Sequence, residues 1–177
     1  MSLDDQLQKF VENTIVFLET AQEIVKDVFS KYPTLKDSEN LSIDPILIIV
    51  GITLLKDLNK ESKIDMINTF ILKSSLYWKK IKDKELSFLQ SNIDKIIPNN
   101  PYVSDLQHFL GKNKKQKCYA SDDDIEYLWE IFEGLVCISI KYISLKRETI
   151  DNMYPDIDID NMSNLFEIEL NDEDEDW

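Results

Sequence analysis

The chain has 177 residues, with 34 acidic and 20 basic side chains, one histidine and two cysteines. A core of this size buries roughly 70% of the surface that the unfolded chain exposes, so the fold needs neither a disulfide nor a structural metal. Two cysteines fit a reducing compartment, and the acidic, polar N-terminus lacks the pattern of a secretory signal. The longest apolar stretch has 11 residues, 45–55, against the ~20 that a membrane span needs. We therefore predict an intracellular protein, in the cytoplasm or nucleus of a host cell, with no membrane span.

The amino-acid composition leans towards Ile, Lys and Asn, and Arg147 is the only arginine beside 19 lysines. This bias is typical of AT-rich genomes, such as those of many large DNA viruses, some protists and some bacteria, so a viral protein is one expectation. Bidentate recognition of phosphate or guanine relies on the planar fork of arginine. The presence of a single arginine therefore argues against a function that depends on bidentate recognition of phosphate or guanine.

Charge is divided unevenly along the chain. Residues 1–154 contain 24 acids and 20 bases, for a net charge of −4, whereas residues 155–177 contain 10 acids and no base. We call residues 155–177 the acidic tail; apolar residues lie among its acids, and it ends on Trp177. The sequence predicts a helical domain over residues 1–154 and an acidic, flexible interaction tail over residues 155–177.

Apolar residues spaced by three and four predict the helices in chain order. The first helix begins at Leu3 and continues for about eight turns, until Pro33 stops it. After a polar connection, Asp44 and Pro45 favour a new helix start. The helix that follows, residues 46–58, is apolar on nearly every side, which predicts a central, buried helix.

Four further helices are expected. They cover residues 62–82, residues 85–97, a short stretch from Pro101 to Leu110, and residues 122–153. Ser121 and the three aspartates after it form the strongest helix start, since a hydroxyl caps the first turn and the third aspartate can bond back. The predicted fold class is all-α: a single bundle of five or six helices around apolar central helices, 46–58 and 122–153, with the acidic tail at its C-terminus.

Common catalytic motifs are missing from the sequence, which has no Gly-rich phosphate loop, no Cys-x-x-Cys pair and no His-Glu-x-x-His. The one histidine, His108, lies near enough to Cys118 for a thiolate–imidazole pair, but an isolated histidine is more often a surface or satisfied core residue. Cys137 is interpreted as a small core residue. Three glutamates share one helix face and are interpreted as its solvated side: Glu126, Glu130 and Glu133. We predict no enzymatic activity and no cofactor.

The start of the acidic tail resembles the calcium-binding loop of EF-hand proteins. Asp156, Asp158 and Asp160 stand at loop positions 1, 3 and 5, and Glu167 stands at position 12. The resemblance covers 12 residues, with Asn161 in place of the glycine of the sharp turn. It implies a calcium-responsive module in which Glu167 is the bidentate ligand of Ca²⁺.

The apolar residues of the acidic tail are candidates for contact with a protein partner: Met162, Leu165, Phe166, Ile168, Leu170 and Trp177. A purely solubilising tail does not need five large apolar residues within residues 162–170. Such a segment can dock as a short helix or strand in a groove, while its acids steer the approach. We therefore predict that these residues bind another protein.

Two lysine-rich patches support an alternative, in which the protein binds nucleic acid. The patches comprise Trp78, Lys79, Lys80, Lys82, Lys84, Lys112, Lys114, Lys115 and Lys117. Lysines beside aromatic rings are used in single-strand binding, although lysines at helix ends and on loops are also ordinary solvated residues. The acidic run closed by Trp177 is similar to the tails of single-stranded-DNA-binding proteins, which implies that the tail competes with nucleic acid for the lysines.

Three functions are thus predicted, in this order. The first is a non-enzymatic intracellular adaptor or regulatory subunit that binds a protein through its helical body and its tail. The second is a nucleic-acid-associated factor gated by the tail, and the third is a calcium-responsive module.

Overall fold

The computed structural model describes residues 2–35, 45–96, 106, 109–111, 118–146, 154 and 156–170. The α-helices in these residues are α1 (Leu3–Lys31), α2 (Pro45–Lys56), α3 (Lys60–Ser74), α4 (Trp78–Lys82), α5 (Leu86–Ile96), α6 (Asp122–Leu145) and α7 (Ile159–Leu165). A 3-10 turn over Ser75–Tyr77 separates α3 from α4. The described residues are mostly helical, which confirms the all-α prediction. We call the described residues up to Lys146 the helical body.

The two longest helices begin with reciprocal hydrogen bonds between a serine and an aspartate. The Asp5 backbone N–H donates to Ser2 Oγ at 3.2 Å, and the Ser2 N–H donates to Asp5 Oδ2 at 3.0 Å. The hydrogen bond from the Ser2 backbone, with that from its hydroxyl, holds the pKa of Asp5 below its ordinary value. Ser121 and Asp124 form the same pair at the start of α6, with distances of 3.1 and 3.0 Å. The predicted start of this helix is therefore confirmed.

α1 and α6 pack against each other at the centre of the core. Phe17 of α1 and Phe132 of α6 are fully buried, with ring centroids 5.5 Å apart. The helices also approach closely at Gly134, where an added Cβ would lie 3.1 Å from Asn13 Oδ1. Tilted ring pairs of this kind stabilise a core beyond the area that they bury. α2 and α3 pack on α1, α4 and α7 pack on α6, and α5 packs on α3.

The prediction that residues 46–58 form a central, buried helix is wrong. Ile48 of α2 is buried, but Ile49, Val50 and Leu54 are 58%, 45% and 64% exposed. The reason is geometric: α2 packs mainly on α1, and a helix that packs on one neighbour buries one face only. Apolar side chains on its other faces therefore reach the surface of the described structure.

Other predicted boundaries differ from those of the structure. The predicted helix over 62–82 is divided by the 3-10 turn, in which Leu76 is 83% exposed. The predicted helix over 85–97 agrees with α5 to within one residue at each end. α6 ends at Leu145, and residues 147–153 of the predicted 122–153 helix lie outside the described residues. Most of the predicted helix from Pro101 to Leu110 lies outside them as well.

Two tyrosine hydroxyls meet at Asn68 of α3. Tyr142 of α6 donates to Asn68 Oδ1 at 3.1 Å, and Tyr154 donates to the Asn68 backbone carbonyl at 3.4 Å. Burial raises the pKa of both phenols; with a further contribution from Tyr142, it raises the pKa of Tyr154 to about 12. These bonds attach the residue that precedes the acidic tail to the helical body.

Candidate functional site

The first part of the acidic tail lies against the helical body. α7 packs on α6, and Ile159 and Phe166 are each only 6% exposed. Phe166 was predicted to bind a partner, and four more residues of that predicted set are partly buried against the core: Met162, Leu165, Ile168 and Leu170. We call residues 156–170 the docked segment. Trp177 lies outside the described residues, and the role of the whole set in partner binding stays a prediction.

Lys82 connects the docked segment to α6. Its Nζ lies 5.5 Å from the centroid of the Phe166 ring and 3.5 Å from Oε1 of Glu133. A cation above an aromatic ring contributes about 0.5–1 kcal/mol at an exposed site. One lysine of the predicted basic patch therefore contacts the acidic tail through an aromatic ring.

Both ends of α7 are closed by hydrogen bonds within the docked segment. At the N-terminus, Asp158 Oδ1 accepts from the backbone N–H of Asn161 at 3.0 Å. At the C-terminus, the Ile168 N–H donates to the Ser163 carbonyl at 2.8 Å, and Glu167 has a φ of 55°. This is the Schellman arrangement, in which glycine is usually found at the position of Glu167.

The acids of the predicted calcium loop do not surround a common point, as the ligands of an EF-hand loop would. Residues 159–165, the middle of that loop, form α7, and Asp158 caps this helix. Asp156, Asp160 and Glu167 are exposed. Across the ranges that the structure describes, no three His, Cys, Asp or Glu side chains are grouped so that they could hold a metal ion. Calcium binding stays a prediction, and this geometry adds nothing in its favour.

Trp78, the aromatic residue of the predicted nucleic-acid surface, is fully buried. Its indole N–H donates to Ser74 Oγ at 2.9 Å inside the core. A ring that stacks on a base has to be accessible. Including Trp78 in that surface was therefore an error, because the start of α4 turns this side chain inward.

Lysines of the first basic patch pair with acids of the same chain. Lys80 pairs with Glu85, Lys82 with Glu133 and Lys84 with Glu126. The hydrogen bond to Glu126 raises the pKa of Lys84. Two of the glutamates that were interpreted as the solvated side of α6 therefore neutralise part of this patch. Lys79 is exposed, and the second patch, Lys112 to Lys117, lies outside the described residues.

The two cysteines have different surroundings. Burial, with a smaller contribution from Glu133, raises the pKa of the Cys137 thiol. Because the thiolate is the reactive form, this thiol is kept in its less reactive state. Cys118 Sγ donates to the Leu110 carbonyl at 3.2 Å. His108, for which the sequence favours an isolated residue over a pairing with Cys118, lies outside the described residues.

An apolar groove that the sequence analysis missed lies between α2 and α3. Its volume is about 580 Å³. One wall consists of three residues of α2 and the leucine that follows the helix: Gly51, Leu54, Leu55 and Leu58. The other wall, on α3, includes Ser62, Asp65, Met66 and Thr69. The remaining lining consists of three residues of α1 and one residue each of α3, α5 and α6: Phe10, Thr14, Leu18, Phe70, Ile96 and Leu135. We call this feature the α2–α3 groove.

The sequence contains only part of the signal for this groove. The apolar residues over 46–58 predict burial, and nothing local to them shows which side stays uncovered. The groove face of α3 has two large apolar residues, Met66 and Phe70, among polar ones, so its periodicity is weak. The groove exists because α2 and α3 both pack on α1, which is a tertiary feature.

A second cleft, of about 550 Å³, lies where the docked segment meets α6. Its lining is mixed, with Lys141 and Ser144 of α6 beside Phe166, Glu167 and Glu169. Because the docked segment forms one side of this cleft, the cleft exists only while the segment is docked. The α2–α3 groove does not depend on the tail in this way.

Comparisons of the chain with family models, curated proteins and solved structures found no match. Among the helices of the described residues, none is both long and apolar enough to cross a membrane. Two surfaces of the described residues are candidates for binding: the α2–α3 groove, and the docked segment on α6.

Proposed function

We propose that the protein is a non-enzymatic adaptor or regulatory subunit that binds another protein through the α2–α3 groove of its helical body. The observation that carries the proposal is the exposure of Leu54, at 64%, on the wall of an apolar groove. Ile49 and Val50, on the same helix, are exposed as well.

Exposed apolar residues on one helix have an energetic consequence. Full burial of a side chain such as Leu, Ile or Val contributes about 1.5–3 kcal/mol relative to leaving it in water. Large apolar patches on a protein surface commonly mark sites where another protein binds. A partner that covers α2 would regain this free energy, and this supports the groove as the binding surface.

The docked segment is a weaker candidate for the first contact with a partner. Its largest apolar side chain, Phe166, is already buried against the body. A partner that binds Phe166 has to displace it first, and the free energy of that displacement is subtracted from the binding free energy. Leu54 is exposed before any partner binds, so no such cost applies there.

The test is affinity capture from a nuclease-treated lysate with the full chain and two matched variants. Leu54→Glu places a charge on the groove wall, at an exposed position where folding should be unaffected. Leu76→Glu makes the same change at a more exposed leucine that does not line the groove. We expect one protein to be retained by the wild type and by Leu76→Glu and to be lost by Leu54→Glu.

Two results would contradict the proposal. One is that all three forms retain the same proteins, which would place the binding surface away from the groove. The other is that a protein is captured from a parallel, untreated lysate and is lost after nuclease treatment, which would favour the nucleic-acid alternative. Circular dichroism of each variant checks that the helical content is unchanged.

A further inference from the structure

We infer that the α2–α3 groove accepts an amphipathic α-helix of a partner protein, and that this helix carries a lysine or arginine opposite Asp65. The inference rests on the proposed function and deepens it by naming the chemistry of the partner. It is carried by the spacing of the wall residues and by the charge of the lining.

The α3 wall of the groove is one face of a helix, and the α2 wall is a helix face as far as Leu55, with Leu58 after the end of the helix. The residues at 51, 54, 55 and 58 on one wall, and at 62, 65, 66 and 69 on the other, have the spacing i, i+3, i+4, i+7. Seven residues of helix rise about 10 Å. An amphipathic helix presents its own anchors over the same length, at i, i+3 or i+4, and i+7. The groove therefore matches two turns of an incoming helix.

An extended peptide fits this surface less well than a helix. Peptides that bind as strands pair with the unpaired backbone groups of a sheet edge. Here the walls are helices, whose backbone N–H and C=O groups bond within the helix. The hydroxyl of Thr53 also bonds within its own helix, because it donates to the Ile49 carbonyl of α2 at 2.8 Å. Only side chains are offered to the partner, as in helix-in-groove recognition.

Asp65 sets the charge of the partner. It is the one charged side chain in the described lining of the groove, and it is exposed. Among the described residues, the ion pairs of the chain do not include Asp65. An acid at the rim of an apolar groove favours a cation on the partner and disfavours an acid.

Charge also favours a helix of another protein over two other candidate occupants of the groove, the acidic tail and a second copy of the chain. The tail beyond the docked segment, residues 171–177, has five acids and no base, so Asp65 would repel it. A second copy of the chain would bring the same net charge of −14, which opposes self-association. The occupant that fits is a basic amphipathic helix of another protein.

The experiment is a selection of helical peptides against the full chain. The probe is a displayed library of 16-residue amphipathic helices with fixed leucines at i, i+4 and i+7 and random residues elsewhere. We expect the selected peptides to share a lysine or arginine at one position. Leu54→Glu should weaken their binding at least about tenfold, which corresponds to the loss of one apolar anchor. Leu76→Glu should leave their binding unchanged.

Two further variants separate the parts of the inference. Asp65→Asn should lower the affinity of the selected peptides about two- to fivefold, as expected for an exposed charge pair. A selection carried out against Asp65→Lys should instead favour an acid at the shared position of the peptides. Gly51→Phe should block the groove without any change of charge. Gly51→Ala is its control, because the added Cβ would lie 4.0 Å from the nearest atom, Leu18 Cδ1.

Several outcomes would overturn the inference. Peptides that bind Leu54→Glu and Gly51→Phe as well as the wild type occupy another surface. Peptides with an acid or no charge at the shared position contradict the role of Asp65. A wild-type dimer in sedimentation that Leu54→Glu dissociates makes a second copy the occupant. If capture from lysate depends on Leu54 while the selection fails, only the helix inference falls and the proposed function stands.

Discussion

The helical body has two apolar surfaces that differ in what covers them. On α6, the docked segment lies over the helix and buries Ile159 and Phe166. On α2, Leu54 stays exposed on the wall of the α2–α3 groove, and Ile49 and Val50 stay exposed elsewhere on the same helix. Composition alone does not distinguish a core face from a binding face. The distinction depends on whether the described chain supplies a segment that covers the face.

The largest expected difference between these surfaces is in the cost of deleting an apolar side chain. Phe166→Ala should lower the free energy of unfolding by about 3 kcal/mol, since the ring is buried and lies under Lys82. Leu54→Ala should change it by no more than about 0.5 kcal/mol, because the leucine is mostly in water. Urea unfolding, followed by circular dichroism, measures both. Equal costs would remove the contrast between covered and uncovered surfaces.

A smaller effect is expected from adding a methyl group at the two helical glycines. Gly51→Ala should stabilise the protein by about 0.5–1 kcal/mol, because alanine favours a helix and open space is available in the groove. Gly134→Ala should stabilise the protein less, because the added Cβ would lie 3.1 Å from Asn13 Oδ1. The Asn13 side chain is held in place, since its amide nitrogen donates to the Lys9 carbonyl. Thermal unfolding of the two variants gives the comparison. A larger gain at Gly134 would show that the central contact is looser than the groove wall.

A gain in stability that is comparable to that of Gly51→Ala, or smaller, is expected from a substitution at the end of α7. Glu167→Gly should stabilise the docked segment by about 0.5–1 kcal/mol, since Glu167 has a positive φ that glycine adopts without strain. Glu169→Gly is the matched control at an exposed glutamate that has no positive φ, and it should bring no gain. Proteolysis within the docked segment reports its local stability. Loss of protection in Glu167→Gly alone would show that the carboxylate itself holds the segment.

The smallest effect at neutral pH is expected at Tyr154. The folded protein holds the phenol proton more tightly than the unfolded chain, because the pKa is raised from 10.0 to about 12. Stability is therefore unaffected below pH 10 and falls as the pH rises from 10 towards 12. In Tyr154→Phe this decline should be shallower. Urea unfolding at a series of alkaline pH values tests it, and an identical decline in both proteins would mean that other groups cause it.

Local features of the fold were predictable from the sequence. The start of α6 at Ser121 follows from hydrogen bonds among four consecutive residues, and the bounds of α5 follow from the spacing of its apolar side chains. Such signals need no knowledge of the remaining chain. For the same reason, the helical character of most of the described residues was predicted correctly.

Features that depend on distant residues were not predictable in this way. The apolar pattern of residues 46–58 is equally compatible with a buried helix and with one that leaves Leu54 exposed. The buried position of Phe166 depends on its meeting α6 and Lys82, which are far away in sequence. Trp78 followed the pattern of a lysine-rich surface and nevertheless entered the core. In each case the tertiary neighbours decide between alternatives that the local sequence leaves open.

Photo-crosslinking of the full chain in nuclease-treated lysate tests the central claim most directly. A benzophenone amino acid replaces Leu54 on the groove wall, Leu165 in the docked segment, or the exposed control Leu76. We expect position 54 to crosslink to a separate protein, position 165 to crosslink within the chain, and position 76 to give neither product specifically. A partner that crosslinks at position 165 and not at position 54 would contradict the account, because the tail and not the groove would then be the binding surface.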